Sequence, residues 1–182
     1  MIWVALAIIV LLIVFLISAY NGMVKARNKV DEAWSGIDVQ LKRRHDLIPN
    51  LVETVKGYAS HEKEVFENVS AARSAAISAS GPAEAGRAEG ALTGALGRLF
   101  AVAEAYPQLR AAESFTELQR ELANTEDQIA GSRRIYNGNV QAYNTKIQVF
   151  PNNLIAGPSG FTRREFFEIE DPADREPVKV SF

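Results

Sequence analysis

Hydrophobic positions follow two different rules along this chain. Over residues 2–20 they are continuous, with only Ser18 appreciably polar; from Val30 onward they return every three or four residues, with Lys, Arg, Glu and Asp between them. The first pattern predicts a helix apolar on all sides, the second a series of helices with one apolar face each. The periodic part begins with Val30, Trp34, Ile37 and Leu41, continues through Ile48, Val52, Val55 and Ala59, and reaches Phe66, Val69 and Ala76. Trp34 and Phe66 read as core anchors on this spacing rather than as ligand-stacking groups. In His45-Asp46-Leu47-Ile48-Pro49-Asn50, Pro49 lacks an N–H and its ring opposes the His45 carbonyl. Either Asp46 caps a new helix there or one long helix bends, and a break or sharp kink is favoured.

Ser80-Gly81-Pro82 marks the next boundary. A second helical region follows from about Ala83 to Tyr106, rich in Ala, with Leu92, Leu96, Leu99, Phe100 and Val102 apolar. Gly90, Gly94 and Gly97 each cost it about 1 kcal/mol relative to Ala, so packing must hold it. They do not form a phosphate loop, since G-x-x-x-x-G-K-[ST] and a flanking strand are lacking. Pro107 ends this helix, and Ser114 with Glu117 makes a capping box for another. That helix carries Phe115, Leu118, Leu122, Thr125, Ile129, Ser132, Tyr136, Val140, Tyr143, Ile147 and Phe150 at three-four spacing until Phe150-Pro151. Residues 151–182 read as an extended tail whose Phe161, Phe166 and Phe167 need a surface to cover. The chain therefore divides into 1–21, a membrane anchor; 22–150, a helical bundle; and 151–182, the tail.

At 1.5 Å per residue the apolar run reaches roughly 30 Å, enough to cross a hydrocarbon core. A cleaved signal peptide normally has a basic start, a shorter apolar stretch and a small-residue cleavage site; no Lys or Arg precedes this run and Ser18-Ala19-Tyr20-Asn21 matches poorly, so a retained anchor is expected. Ile2, Trp3, Leu11, Leu12, Phe15 and Tyr20 are its candidate membrane-anchor residues. Lys25, Arg27, Lys29, Lys42, Arg43 and Arg44 all follow the span, which puts the N-terminus outside and the body in the cytoplasm.

Composition narrows the function classes. The chain has no Cys, so disulfides, a thiol nucleophile, thiolate zinc and lipidation at Cys are excluded. Its net charge of −2, from 20 basic and 22 acidic side chains, argues against a nucleic-acid partner. About 160 residues beyond the anchor suffice for one domain with its own core.

The ordered series Tyr20-Asn21, Arg27, Val30 and Ala33-Trp34-Ser35-Gly36-Ile37-Asp38-Val39-Gln40-Leu41-Lys42-Arg43-Arg44-His45-Asp46-Leu47-Ile48-Pro49-Asn50-Leu51-Val52 resembles the LemA family of bacterial membrane-anchored proteins. The likeness continues through Val55-Lys56-Gly57-Tyr58-Ala59, His61-Glu62, Val65-Phe66 and Ala72-Arg73, then Ala105-Tyr106-Pro107-Gln108-Leu109, Tyr136-Asn137, Tyr143-Asn144, Phe150-Pro151, Gly160-Phe161 and Phe166-Phe167-Glu168. The resemblance implies a membrane helix followed by an antiparallel, up-and-down helical bundle. It supplies no catalytic residue, cofactor or substrate. Relatives that carry a lipid-modified Cys in place of the span differ from this chain.

Candidate chemistry is sparse. The stretch His61-Glu62-Lys63-Glu64-Val65 lacks the second His of a helical zinc pair, and His45 beside Asp46 has no Ser or Cys in a nucleophile motif. Both histidines read as structural. Tyr136-Asn137 and Tyr143-Asn144 lie two turns apart on nearly one face, where they can either hydrogen-bond across an interface or edge the core.

The chain is expected to be all-α and not an enzyme, without cofactor or metal: a membrane-anchored scaffold or adaptor, self-associating and coiled-coil-like in its seams, at the bacterial inner membrane. Trp34, Ile37, Leu41, Val52, Phe66, Leu118, Leu122, Tyr136 and Tyr143 are its candidate bundle core. Phe161, Phe166 and Phe167 are its candidate interface to a second copy or to an unidentified membrane or cytoplasmic protein, with the acidic residues from Glu168 to Glu176 as a rim; equally, the tail can fold back onto its own bundle and cover a residual apolar groove. The alternatives are an enzyme or metal-binding bundle with a cryptic polar core site, although no Glu-x-x-His motif is present, and an envelope-facing protein of reversed orientation.

Overall fold

A computed structural model describes residues 1–169; the acidic rim beyond Ile169 lies outside the described residues. The described residues form six helices and no strand: α1 Ile2–Lys56, α2 Lys63–Ser78, α3 Pro82–Glu104, α4 Pro107–Arg110, α5 Glu113–Gln148 and α6 Asn153–Ala156. The fold is all-helical. The chain resolves into two compact units, one made of Met1–Gly36 with Arg134–Phe166, the other of Ile37–Arg133 with the described residues from Phe167 on.

In the first unit α1 and α5 pack antiparallel. Lys146 lies against Gly22, Asn139 Nδ2 donates to the Lys29 carbonyl at 3.1 Å, and Trp34 meets Tyr136 at 5.4 Å between rings, so α5 numbers fall as α1 numbers rise. Met23, Val30, Val140, Tyr143 and Ile147 are buried along this seam. Residues 2–18 have no such partner: every one of them is exposed.

The second unit holds the larger core. Ile48, Leu51, Val52 and Val55 of α1 cluster with Phe66 and Val69 of α2, Leu92, Leu96 and Leu99 of α3, Leu109 of α4, and Phe115 and Leu122 of α5. Ile37, Leu41, Val52, Phe66 and Leu122 are buried, as are Tyr136 and Tyr143 in the first unit. Leu118 is half-buried and packed against that core; Trp34, also half-buried, is not one of its members. Trp34 instead covers one side of Tyr136 while leaving part of its ring in water.

The break expected at Pro49 is absent: α1 continues through it to Lys56. Proline deprives the carbonyl four residues earlier of its helical donor, and here Arg73 of α2 supplies another, with Nε 2.7 Å from the His45 carbonyl. The helix stops instead at Gly57, where Tyr58 and Ala59 N–H groups turn back onto the Val55 carbonyl at 3.0 and 2.9 Å and close the last turn. Glycine favours that end because it is a poor helix former. The stripe read as continuous from Val52 to Ala76 is therefore two helices joined at 57–62.

Elsewhere boundaries move by a residue or two, as frayed ends do. Gly81, at φ 81, makes the turn into Pro82 at the start of α3 in a conformation that favours glycine. The tail is not extended from its start. It forms α6 and a further turn closed by Gly160 at φ 75, with the Phe161 N–H donating to the Ala156 carbonyl at 2.9 Å, and only then, over 161–169, runs without helix or strand.

Candidate functional site

Two polar arrangements stand out, one inside each unit. In the second unit, Arg44 of α1 is fully buried. Its Nη1 lies 2.7 Å from Glu89 Oε2, and its Nη2 lies 2.9 Å from Thr93 Oγ1 and 2.5 Å from Glu126 Oε1. The other Glu89 oxygen is 2.6 Å from His45 Nε2. Because an ionised carboxylate only accepts, His45 donates from Nε2 in this arrangement. One carboxylate of α3 thus holds two adjacent side chains of α1, while Arg44 Nε has no hydrogen-bond partner among the described residues.

The periodicity carried a signal for this cluster that went unread. Ile37, Leu41, Arg44, Ile48, Leu51 and Val55 form one buried stripe of α1, and Ala85, Glu89, Leu92, Leu96 and Leu99 one buried stripe of α3. Each stripe contains a single charge, and the two charges are opposite. A buried charge must find a partner or lose several kcal/mol, so Arg44 and Glu89 are matched by elimination. Glu89 is 1% exposed and Arg44 0%, whereas the Glu126 side chain of the same cluster is 43% exposed and carries it to the surface. Among the described residues no three His, Cys, Asp or Glu side chains gather to hold a metal ion. The chemistry it offers is fixing α1 against α3.

In the first unit the Tyr and Asn residues of α5 grip the tail. Tyr143 OH donates to the Thr162 carbonyl at 2.9 Å and Tyr136 OH to the Glu165 carbonyl at 2.8 Å. Between them the Asn144 amide faces the backbone of Arg164, donating through Nδ2 to its carbonyl at 2.9 Å and accepting its N–H on Oδ1 at 2.8 Å. A carboxamide matches a peptide group in this way, so Asn144 acts as one rung of a sheet ladder. Arg164 then reaches Asp31 of α1 at 2.6 Å. Burial pushes the Tyr136 phenol up to about 12, although the nearby Arg164 guanidinium pulls the other way. The Tyr143 phenol is also raised by burial.

The aromatic residues of the tail separate. Phe161 is buried in the first unit, its ring edge-on to Tyr20 at 5.5 Å and under the Arg27 guanidinium at 5.4 Å. Phe167 is fully buried, whereas Phe166 is 38% exposed. Of the two readings of the tail, folding back onto its own chain holds for Phe161 and Phe167, and only Phe166 of the three stays exposed. The anchor residues Ile2, Trp3, Leu11, Leu12, Phe15 and Tyr20 are all exposed, Trp3 at 83%.

The LemA family model matches residues 33–182. The chain belongs to the LemA family. Among LemA-type relatives it is 29% identical over 196 residues to magnetosome protein MamQ 2 of Paramagnetospirillum magneticum and equally to magnetosome protein MamQ of Magnetospirillum gryphiswaldense, covering 93% of this chain and 72% of each relative. It is 27% identical over 140 residues to Protein LemA of Metamycoplasma hominis, covering 75% of this chain and 63% of that one. The stretch of α1 that precedes the LemA match contains the apolar run over residues 2–20, long and apolar enough to cross a membrane. This is a membrane-associated protein of the LemA type.

Proposed function

We propose that this LemA-type protein is a membrane-anchored helical scaffold or adaptor that works by protein–protein contact and self-assembles at a bacterial inner membrane. The observation that carries this reading is the exposure of every residue over 2–18 in a helix that runs on, unbroken, into packed chain. Such a surface is stable only in hydrocarbon, and a chain held in a plane meets its copies at high effective concentration. The names of the MamQ relatives tie those proteins to the magnetosome; a structural role at a cell substructure is the corresponding reading here. Of the three tail phenylalanines, Phe166, beside the exposed Val149 on a groove of about 370 Å³, is the one left exposed to contact a partner. The alternative, a bundle with a working polar core site, draws on the Arg44–Glu89–His45 cluster, but the burial of that cluster weighs against it.

Light scattering on the full-length protein in mild detergent tests assembly. The expected mass is that of several subunits plus the micelle, reduced in Phe166→Ala. A single subunit plus its micelle for the unmodified chain would overturn self-assembly, and an unchanged assembly in the variant would remove Phe166 from the interface.

A further inference from the structure

At the foot of the apolar run, one face of α1 changes character step by step. Val14, Ile17, Ser18, Asn21, Gly22 and Lys25 recur at helical spacing and, with Lys146 of α5, line an open groove of about 570 Å³ inside the first unit. Over about 16 Å of helix the lining passes from aliphatic, through hydroxyl and amide, to ammonium. Gly22 lets the second ammonium close in: a Cβ there would stand 3.0 Å from Lys146 Nζ and 3.2 Å from its Cε. Neither lysine has a carboxylate partner among the described residues. One turn past Lys146, Phe150 is 78% exposed, and Leu154 beyond it 67%. Large apolar side chains so exposed next to cationic ones are what a segment lying at a bilayer surface presents.

The order apolar, polar, cationic is that of an amphiphile lying along the helix. We infer that this groove binds an anionic phospholipid of the surrounding bilayer, its phosphate between Lys25 and Lys146, its ester region at Ser18 and Asn21, and an acyl chain along Val14 and Ile17. The inference rests on the membrane reading of α1 and adds to it a lipid preference. Basic residues near an anionic surface gain affinity generally, but lining one groove, with no carboxylate partner among the described residues, distinguishes Lys25 and Lys146 from Lys29, which does not line it.

The test uses the full chain, delipidated in mild detergent and examined by native mass spectrometry with phosphatidylglycerol, phosphatidylcholine or inorganic phosphate. Phosphatidylglycerol should be retained preferentially, with retention falling about fivefold for Lys25→Gln and again for Lys146→Gln, and unchanged for Lys29→Gln. Thermal midpoints are taken alongside. Should Lys146→Gln unfold the protein, Lys25→Gln, on an exposed side chain, carries the result. Equal retention of the two lipids would overturn the inference. So would an equal loss in Lys29→Gln, which would mean diffuse attraction, or retention of inorganic phosphate as tight as that of the lipid. Co-sedimentation with phosphatidylcholine vesicles separates the two failures: a chain that does not insert refutes the anchor, whereas one that inserts without preferring phosphatidylglycerol refutes only the lipid site.

Discussion

Pro49 is tolerated inside α1 because another helix supplies the donor it lacks. The Arg73 guanidinium bonds the His45 carbonyl from across the bundle, and a hydrogen bond from a charged group contributes about 1.5–3 kcal/mol. The two residues should therefore be coupled. Arg73→Met should destabilise the protein by about 1.5 kcal/mol beside Pro49, and by clearly less in a Pro49→Ala background, where an N–H at position 49 can serve the same carbonyl. A double-mutant cycle from thermal unfolding of the full-length protein measures this; a coupling energy within error of zero would mean that the Arg73 contact plays no part in carrying α1 through the proline. Arg44 and Glu89 teach the same lesson in a stronger form, since deleting one member of a buried ion pair generally costs about 3–5 kcal/mol. None of these pairings is local: Arg44 and Glu89 are 45 residues apart, His45 and Arg73 28. A scan for periodicity sees each member, as an odd charge or an awkward proline, and not the partner that makes it stable.

Among elements, α3 and α5 were the most legible, because their faces repeat over many turns: the regions expected from Ala83 and from Ser114 are helical as Pro82–Glu104 and Glu113–Gln148. Gly90, Gly94 and Gly97 each lower the helix propensity of α3. Gly86 has a further reason to be glycine, since a Cβ there would collide with the Glu168 carbonyl oxygen and lie 2.9 Å from its carbon and 3.2 Å from its nitrogen. The tail backbone crosses α3 where no side chain stands. Gly86→Ala sets two effects against each other: a gain of up to about 1 kcal/mol in helix propensity and a clash with backbone that cannot rotate away, costing about 1–3 kcal/mol. The clash should win. The expected outcome is faster amide exchange in the described tail residues around Glu168 with α3 itself still protected, read by hydrogen exchange and mass spectrometry. Unchanged exchange there, with a raised thermal midpoint, would show that the tail does not pass so close to α3.

At the scale of the whole molecule, an orientation is proposed from charge. Six basic residues follow the apolar run between Lys25 and Arg44, so the helical body is proposed to face the cytoplasm. The absence of Cys makes this simple to check. A single Cys in place of the exposed Ser78 should be unreactive to an impermeant maleimide in intact cells and labelled after lysis; labelling before lysis would reverse the assignment. What the sequence by itself determined was whatever depends on short-range repetition: an apolar helix of membrane length, amphipathic helices after it, no strand among the described residues, and membership of the LemA family. Hydrophobic burial is legible in this way because it acts on every third or fourth residue alike. The tertiary structure alone decided where specific polar groups go. It kept α1 whole through Pro49, matched Arg44 to Glu89, and turned the Tyr and Asn residues of α5 into a clasp for the tail, so that Phe161 and Phe167 are covered within their own chain. Hydrogen bonds and ion pairs depend on distance and direction between groups far apart in sequence, and those are fixed only once the helices have packed.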